Sequence, residues 1–152
     1  MLNIEIEDDI FVTSNIHAVN TKIHIEYDGQ CFPSATWTDF TFPILEEWKN
    51  NLIMASRSDS LQFNLFFQDG PFWLEVYKND TMDLKINFIN ARTIKKSELT
   101  LYCGYDEFIK EIYRAFKTFA KILYKNKMNV GDFSSVYQQT MFSINELKEF
   151  IK

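Results

Sequence analysis

Leu61–Tyr77 reads LQFNLFFQDGPFWLEVY, and this stretch decides the fold. Leu61, Phe63, Leu65 and Phe67 alternate with Gln62, Asn64, Phe66 and Gln68, the two-residue period of a strand. Asp69-Gly70 follows, the strongest short-range signal for a two-residue hairpin loop. Closing the chain there sets Phe67 opposite Phe72, Leu65 opposite Leu74 and Phe63 opposite Val76. All six are apolar and share one face, so the hydrophobic pattern fixes the register. The other face then pairs Phe66 with Trp73, Asn64 with Glu75 and Gln62 with Tyr77.

Downstream, Met82–Ile89 presents Leu84, Ile86 and Phe88 to the same apolar face. A three-residue loop, Asn79-Asp80-Thr81, sets Glu75 opposite Lys85 as a cross-strand ion pair, and Asp83, Lys85 and Asn87 continue the outer face. Glu98–Cys103 reads as the last strand. Upstream, Leu2–Glu7 and Lys22–Tyr27 alternate in the same way, and Asp28-Gly29 closes the second of these with a turn. Pro43 favours a helix start, with Leu45, Trp48, Leu52 and Ala55 as its apolar stripe and Ser56–Ser60 as its end. Asp106–Lys125 is a long amphipathic helix, with Ile109, Ile112, Phe116, Phe119 and Leu123 on one side. Lys110, Arg114, Lys117, Lys121 and Lys125 lie on the other. Ser143-Ile144-Asn145-Glu146 spells a capping box, with Phe142 and Leu147 placed as its staple and a short helix to follow. These elements predict an α+β fold in one domain over residues 1–152, with an antiparallel sheet of about five strands and helices packed mainly on one face.

A chain of 152 residues fits one domain with an independent core. Fifteen Phe, seven Tyr and three Trp exclude a disordered chain. The net charge of −5 is uneven: residues 1–91 hold 14 acids and 5 bases, a balance of −9, whereas residues 92–152 hold 7 acids and 11 bases, a balance of +4. An acidic N-terminal part argues against nucleic acid as the main ligand and suits a basic protein partner, or simply a soluble surface. The first residues are acidic at once and no apolar run is long enough to span a bilayer. The expectation is therefore a cytoplasmic protein without membrane association, with Cys31 and Cys103 as reduced, mostly buried thiols.

No catalytic constellation stands out. His17 and His24 are the only histidines. Cys31 with either of them is the one nucleophile–base pair that can be written, and an idle thiol is the plainer reading. The carboxylates Glu5, Glu7, Asp8 and Asp9, like Glu46 and Glu47, suit a solvated surface better than acid–base work. No Gly-rich phosphate loop and no metal-ligand spacing occurs. No enzyme activity, cofactor or metal is expected. The basic stripe from Lys110 to Lys125 lies where any globular protein puts charge.

A second stretch, Gln30–Trp48, reads QCFPSATWTDFTFPILEEW. Phe32-Pro33, Trp37-Thr38-Asp39-Phe40 and Trp48, followed by Asp69-Gly70-Pro71-Phe72, resemble a group of small bacterial proteins with an F-P-x-x-x-W-x-D-F motif. That group is similar to the immunity proteins of contact-dependent and polymorphic toxin systems. The resemblance spans residues 20–125 and brings no catalytic residues with it. Locally, Phe32, Trp37 and Phe40 can wedge the strand-to-helix crossing, and Asp39 can bond nearby backbone amides.

The leading expectation is a non-enzymatic protein-binding domain, an immunity-type inhibitor that occludes a partner such as a basic toxin domain. The expected contact residues are Phe66, Trp73, Glu75, Tyr77 and Asp83, with Asp39 second. Two other fates for the outer rings stay open: a covering loop or N-terminal segment, or a symmetric homodimer. A small-ligand site between sheet and long helix is the third class.

Overall fold

A computed structural model describes residues 2–12 and 19–152. It confirms the α+β class, with three helices and two antiparallel four-stranded sheets. His17 lies outside the described residues.

The first sheet begins with β1 (Asn3–Val12) and β2 (Val19–Tyr27), paired so that Ile4 faces Ile25 and Ile6 faces Ile23. Ile23 and Ile25 are fully buried, as their alternation with Lys22, His24 and Glu26 requires. Asp28 and Gly29 both take left-handed backbone (φ 52° and 74°), the conformation that a tight hairpin turn demands of both central residues. β3 (Gln30–Phe32) returns beside β2, and β4 (Thr38–Phe40) pairs with β2 further along, Asp39 opposite Thr21. At three residues each, β3 and β4 are too short to show a period.

α1 (Thr41–Ser56) starts two residues before Pro43. Proline is tolerated in a first turn because the N–H it lacks has no partner there anyway. Leu45, Trp48, Leu52 and Ala55 are buried, together with Ile44.

The second sheet is a meander of β5 (Gln62–Phe66), β6 (Phe72–Lys78), β7 (Asp83–Asn90) and β8 (Lys96–Gly104). The hairpin register is the one the pattern dictates: Phe63↔Val76, Leu65↔Leu74 and Phe66↔Trp73. The β6–β7 register differs from expectation by two residues. Lys78 pairs with Leu84, so residues 79–83 form the connection and Glu75 faces Asn87, not Lys85. Asn79 draws that longer loop together, its side-chain oxygen accepting from the amides of Thr81 and Asp83 at 3.0 and 2.9 Å. A shift of two keeps every side chain on its face, so Leu84, Ile86 and Phe88 are still buried.

α2 (Tyr105–Lys125) buries Ile109, Ile112, Phe116, Phe119 and Leu123. After a single 3₁₀ turn, α3 (Ser134–Ile151) runs to the end of the chain. The expected capping box therefore falls in the middle of a helix. Ser143 is buried and bonds across to α1, accepting from Lys49 Nζ (3.3 Å) and donating to Glu46 Oε1 (2.7 Å). Phe142, the supposed staple, is 70% exposed. In place of about five strands in one sheet there are eight in two among the described residues.

Phe32 joins the sheets, its ring lying 5.0 to 5.9 Å from those of Phe88, Phe72 and Phe67. Trp48 meets Phe67 edge-on at 5.3 Å. α1 packs against β2 and β5, and α2 against β1 and β8. These contacts bury the inner face of the second sheet. None of the three described helices packs on its outer face.

Candidate functional site

The outer face of the second sheet is set by the β5–β6–β7–β8 register, which lines up Phe66, Trp73, Glu75, Tyr77, Lys85, Asn87, Thr100 and Tyr102 on one side. Phe66 (42% exposed) packs on Trp73 with ring centroids 5.7 Å apart. Trp73 is half-buried, and Lys95 reaches over it from the β7–β8 loop, 6.0 Å from the ring. Opposite Trp73, Ile89 is buried at a register shift where β7 meets β8. A loop thus covers this corner in part, and Phe66 stays open beside it.

Glu75 sits in the middle of the face. Its carboxylate accepts from Tyr77 Oη (2.9 Å), Lys95 Nζ (3.2 Å) and, more weakly, Asn87 Nδ2 (3.4 Å). Thr100 Oγ1 donates to Asn87 Oδ1 at 2.7 Å and continues the chain of bonds into β8. Partial burial pushes the Glu75 carboxyl upward, but the donors from Tyr77, Lys95 and Asn87 outweigh it and hold it below the usual value. The same bond raises the Tyr77 hydroxyl. The acceptor and its donors fix the positions of the rings around them.

Tyr77 (39% exposed) and Tyr102 (70% exposed) flank Lys85, which faces each of them across the strands. Lys85 Nζ lies 5.9 Å from the Tyr77 ring. Between these side chains a groove of about 590 Å³ runs down to Asn79 and Asp83. Asp83 is exposed at the start of β7 and accepts from Thr81 Oγ1 at 2.8 Å. Tyr102 and Lys95 are the residues that sequence reasoning missed. Tyr102 was within reach, since the alternation of Leu99, Leu101 and Cys103 puts it on the outer face. Lys95 was not, because it belongs to a loop.

Asp39 is not on this face. It is 1% exposed, and its carboxylate accepts from Trp37 Nε1 (3.0 Å), Phe40 N (2.7 Å) and Asp69 N (3.1 Å). Burial raises its carboxyl above the ordinary value against the pull of these donors. Trp37 packs edge-on against Phe72 at 5.0 Å, and a Cβ on Gly70 would come within 2.8 Å of the Trp37 ring. The Trp-x-Asp-Phe segment and the Asp-Gly-Pro-Phe hairpin are one packed unit of the interior, so Asp39 has no surface to offer a partner.

The charge is distributed differently from the expectation too. On the outer face Glu75 is paired with Lys95 and Asp83 stands near Lys85. The denser acid lies on β1, where Glu7 and Asp9 approach Lys22 at 3.6 and 3.5 Å and Asp8 pairs with Lys125 at 2.7 Å.

No hydrogen bond joins Cys31 to His24 among the described residues. Cys31 stands opposite Glu26 on β3, and the buried Nδ1 of His24 has no hydrogen-bond partner among the described residues. Burial, with Glu107 nearby, pushes the Cys103 thiol up to about 12, so it stays protonated at neutral pH. Both thiols are free. Among the described residues no cluster of His, Cys, Asp and Glu could hold a metal, and no helix is long and apolar enough to cross a membrane.

No protein-family model, no curated protein and no solved structure matches this chain.

Proposed function

We propose that this protein is a non-enzymatic protein-binding domain that uses the outer face of its second sheet, and that it acts as an immunity-type inhibitor occluding a toxin partner. The observation that carries the reading is a sheet face with none of the three described helices over it, on which Phe66 lies exposed beside Trp73 at one end and Tyr77 and Tyr102 lie exposed at the other. Trp and Tyr supply much of the energy of protein interfaces because they bury large area at low entropic cost. The Glu75 network supports the reading, since side chains already fixed in place lose little freedom on binding. The groove between Tyr77 and Tyr102 is a socket for a partner's side chain. The net charge of −5 favours a basic partner through steering. The inhibitor role rests further on the resemblance of the Phe-Pro/Trp-x-Asp-Phe segment and its hairpin to immunity proteins.

The test is growth rescue. The reading frame immediately upstream should encode a large secreted protein, and its C-terminal domain, expressed alone, should arrest growth. Co-expression with this chain should restore it, and the Tyr77→Ala/Tyr102→Ala variant should not. A harmless neighbour, or rescue undiminished by the double substitution, contradicts the proposal.

A further inference from the structure

A second surface, sharing no residue with the first, lies between the two C-terminal helices. On α2, Tyr113, Lys117, Ala120, Lys121 and Tyr124 follow one another at steps of four, three, one and three, one face of a helix. On α3, Tyr137, Met141, Ile144 and Lys148 follow at steps of four, three and four, again one helix face. The two rows enclose a groove of about 430 Å³. Its middle is apolar, formed by Ala120, Met141 and Ile144. One end is walled by Tyr124 and Tyr137, whose rings lie 6.3 Å apart. Tyr113 stands toward the other, with Lys117 Nζ 5.1 Å from its ring.

The edges of the groove are basic. Lys117, Lys121, Lys125 and Lys148 line it and no acidic residue does, in a protein whose net charge is −5. Lys125 is engaged by Asp8. Lys121, toward the Tyr124 end, and Lys148, toward the Tyr113 end, make no ion pair among the described residues. An apolar trough edged by unpaired ammonium groups complements a segment with aliphatic side chains down one side and carboxylates beside them. Two adjacent helices also present parallel ridges between which a third helix can lie. From Tyr113 to Tyr124 the trough is about 16 Å long, roughly three helical turns.

We propose that this groove docks an acidic amphipathic helix of a partner protein. Its aliphatic residues would rest on Ala120, Met141 and Ile144, and its carboxylates would meet Lys117, Lys121 and Lys148, a helix-in-groove mode of recognition. Nucleic acid fits less well, since phosphates would use the lysines and leave the apolar floor unused. An anionic bilayer needs a convex apolar face, and this surface is concave.

The test uses the full-length protein and a fluorescein-labelled synthetic helix of about four turns. That probe carries leucines at the groove spacing and glutamates beside them. Its controls are the same peptide with glutamine for glutamate, an oligothymidylate, and phosphatidylserine vesicles. Polarisation should show binding of the glutamate peptide that weakens with added salt, and no binding of the glutamine peptide. Lys121→Glu/Lys148→Glu should weaken it roughly tenfold or more by placing like charges together. Lys96→Glu, on the exposed start of β8, should leave it unchanged. Failure of the glutamate peptide to bind, equal binding by the double variant, or preference for the oligothymidylate or the vesicles overturns the proposal. Because the outer sheet face takes no part, none of these results bears on the proposed inhibitor role.

Discussion

Trp48 Nε1 donates to the carbonyl oxygen of Phe66 at 2.8 Å, so a fully buried ring on α1 fixes the backbone of the residue whose own ring opens the outer face. The two Trp-centred contacts, Trp48 inside and Trp73 outside, thus meet at Phe66. Replacing Trp48 with Phe removes that donor, strands a carbonyl oxygen and leaves space in the core. Urea unfolding should show a loss of roughly 2–4 kcal/mol. A loss below about 0.5 kcal/mol, the scatter of ordinary surface changes, would show that the bond does not hold the strand in place.

Asp39 is predicted to act on stability alone. Asp39→Ala leaves the Trp37 indole and the Asp69 amide without their acceptor, at a cost of roughly 1–3 kcal/mol for each group that stays buried. Gly70→Ala should also destabilise, because φ at this position is 76° and the new methyl would press on Trp37. Thermal denaturation of both variants checks this. A binding defect in Asp39→Ala without any change in Tm would place Asp39 at an interface after all.

Glu75 gives the second sheet a pH dependence of known sign. Its carboxyl titrates below the usual value of 4.5 in the folded protein. It therefore contributes stability that is fully present above that value and is lost as the pH falls through its folded pKa. Glu75→Gln should be less stable than the parent at neutral pH, and the gap should close on acidification below about pH 4. A gap that widens toward acid would contradict the donor set found around this carboxylate.

Lys49 is 2% exposed and binds Glu46, Glu146 and Ser143, tying α3 to α1. Both glutamates reach solvent and can be hydrated once Lys49 is gone, so Lys49→Met should cost only about 1–2 kcal/mol. Hydrogen exchange should quicken in α3 and stay slow in β6 and β7. Uniform acceleration through the whole chain would mean that α3 is not a separable part of the fold.

The register of the hairpin from Gln62 to Tyr77 was legible, because six apolar residues around the Asp-Gly turn admit one pairing. The turn itself is longer than the expected two residues: the strands stop at Phe66 and resume at Phe72, and of Asp69 and Gly70 only Gly70 takes positive φ. Also legible was α2, whose apolar and basic sides differ along its whole length. What escaped notice had no period to betray it. β3 and β4 are three residues each, and the extra turn length before β7 depends on Asn79 bonding its own loop. The Ser143 motif misled because a serine and a glutamate three residues apart serve equally well to cap a helix or to bind a buried lysine across two helices. The outer face was legible for Phe66, Trp73, Glu75 and Tyr77, whose positions follow from the hairpin. Which group pairs with Glu75 was not, since Lys95 comes from a loop and the strand pattern favoured Lys85.

The central claim is that the outer face of the second sheet binds a protein. The most direct measurement is capture from the native cell on the immobilised full chain, comparing the parent with Tyr77→Ala/Tyr102→Ala, and titration of the captured protein against both by calorimetry. The double variant loses the Tyr77–Glu75 hydrogen bond and should cost about 1–3 kcal/mol of stability, less than the roughly 5–15 kcal/mol of a natural domain, so it should remain folded during the titration. The account predicts one retained protein, with a binding loss of about 2 kcal/mol or more in the double variant. Equal affinity for both folded forms, or recovery of nothing but a second copy of this chain, would contradict it.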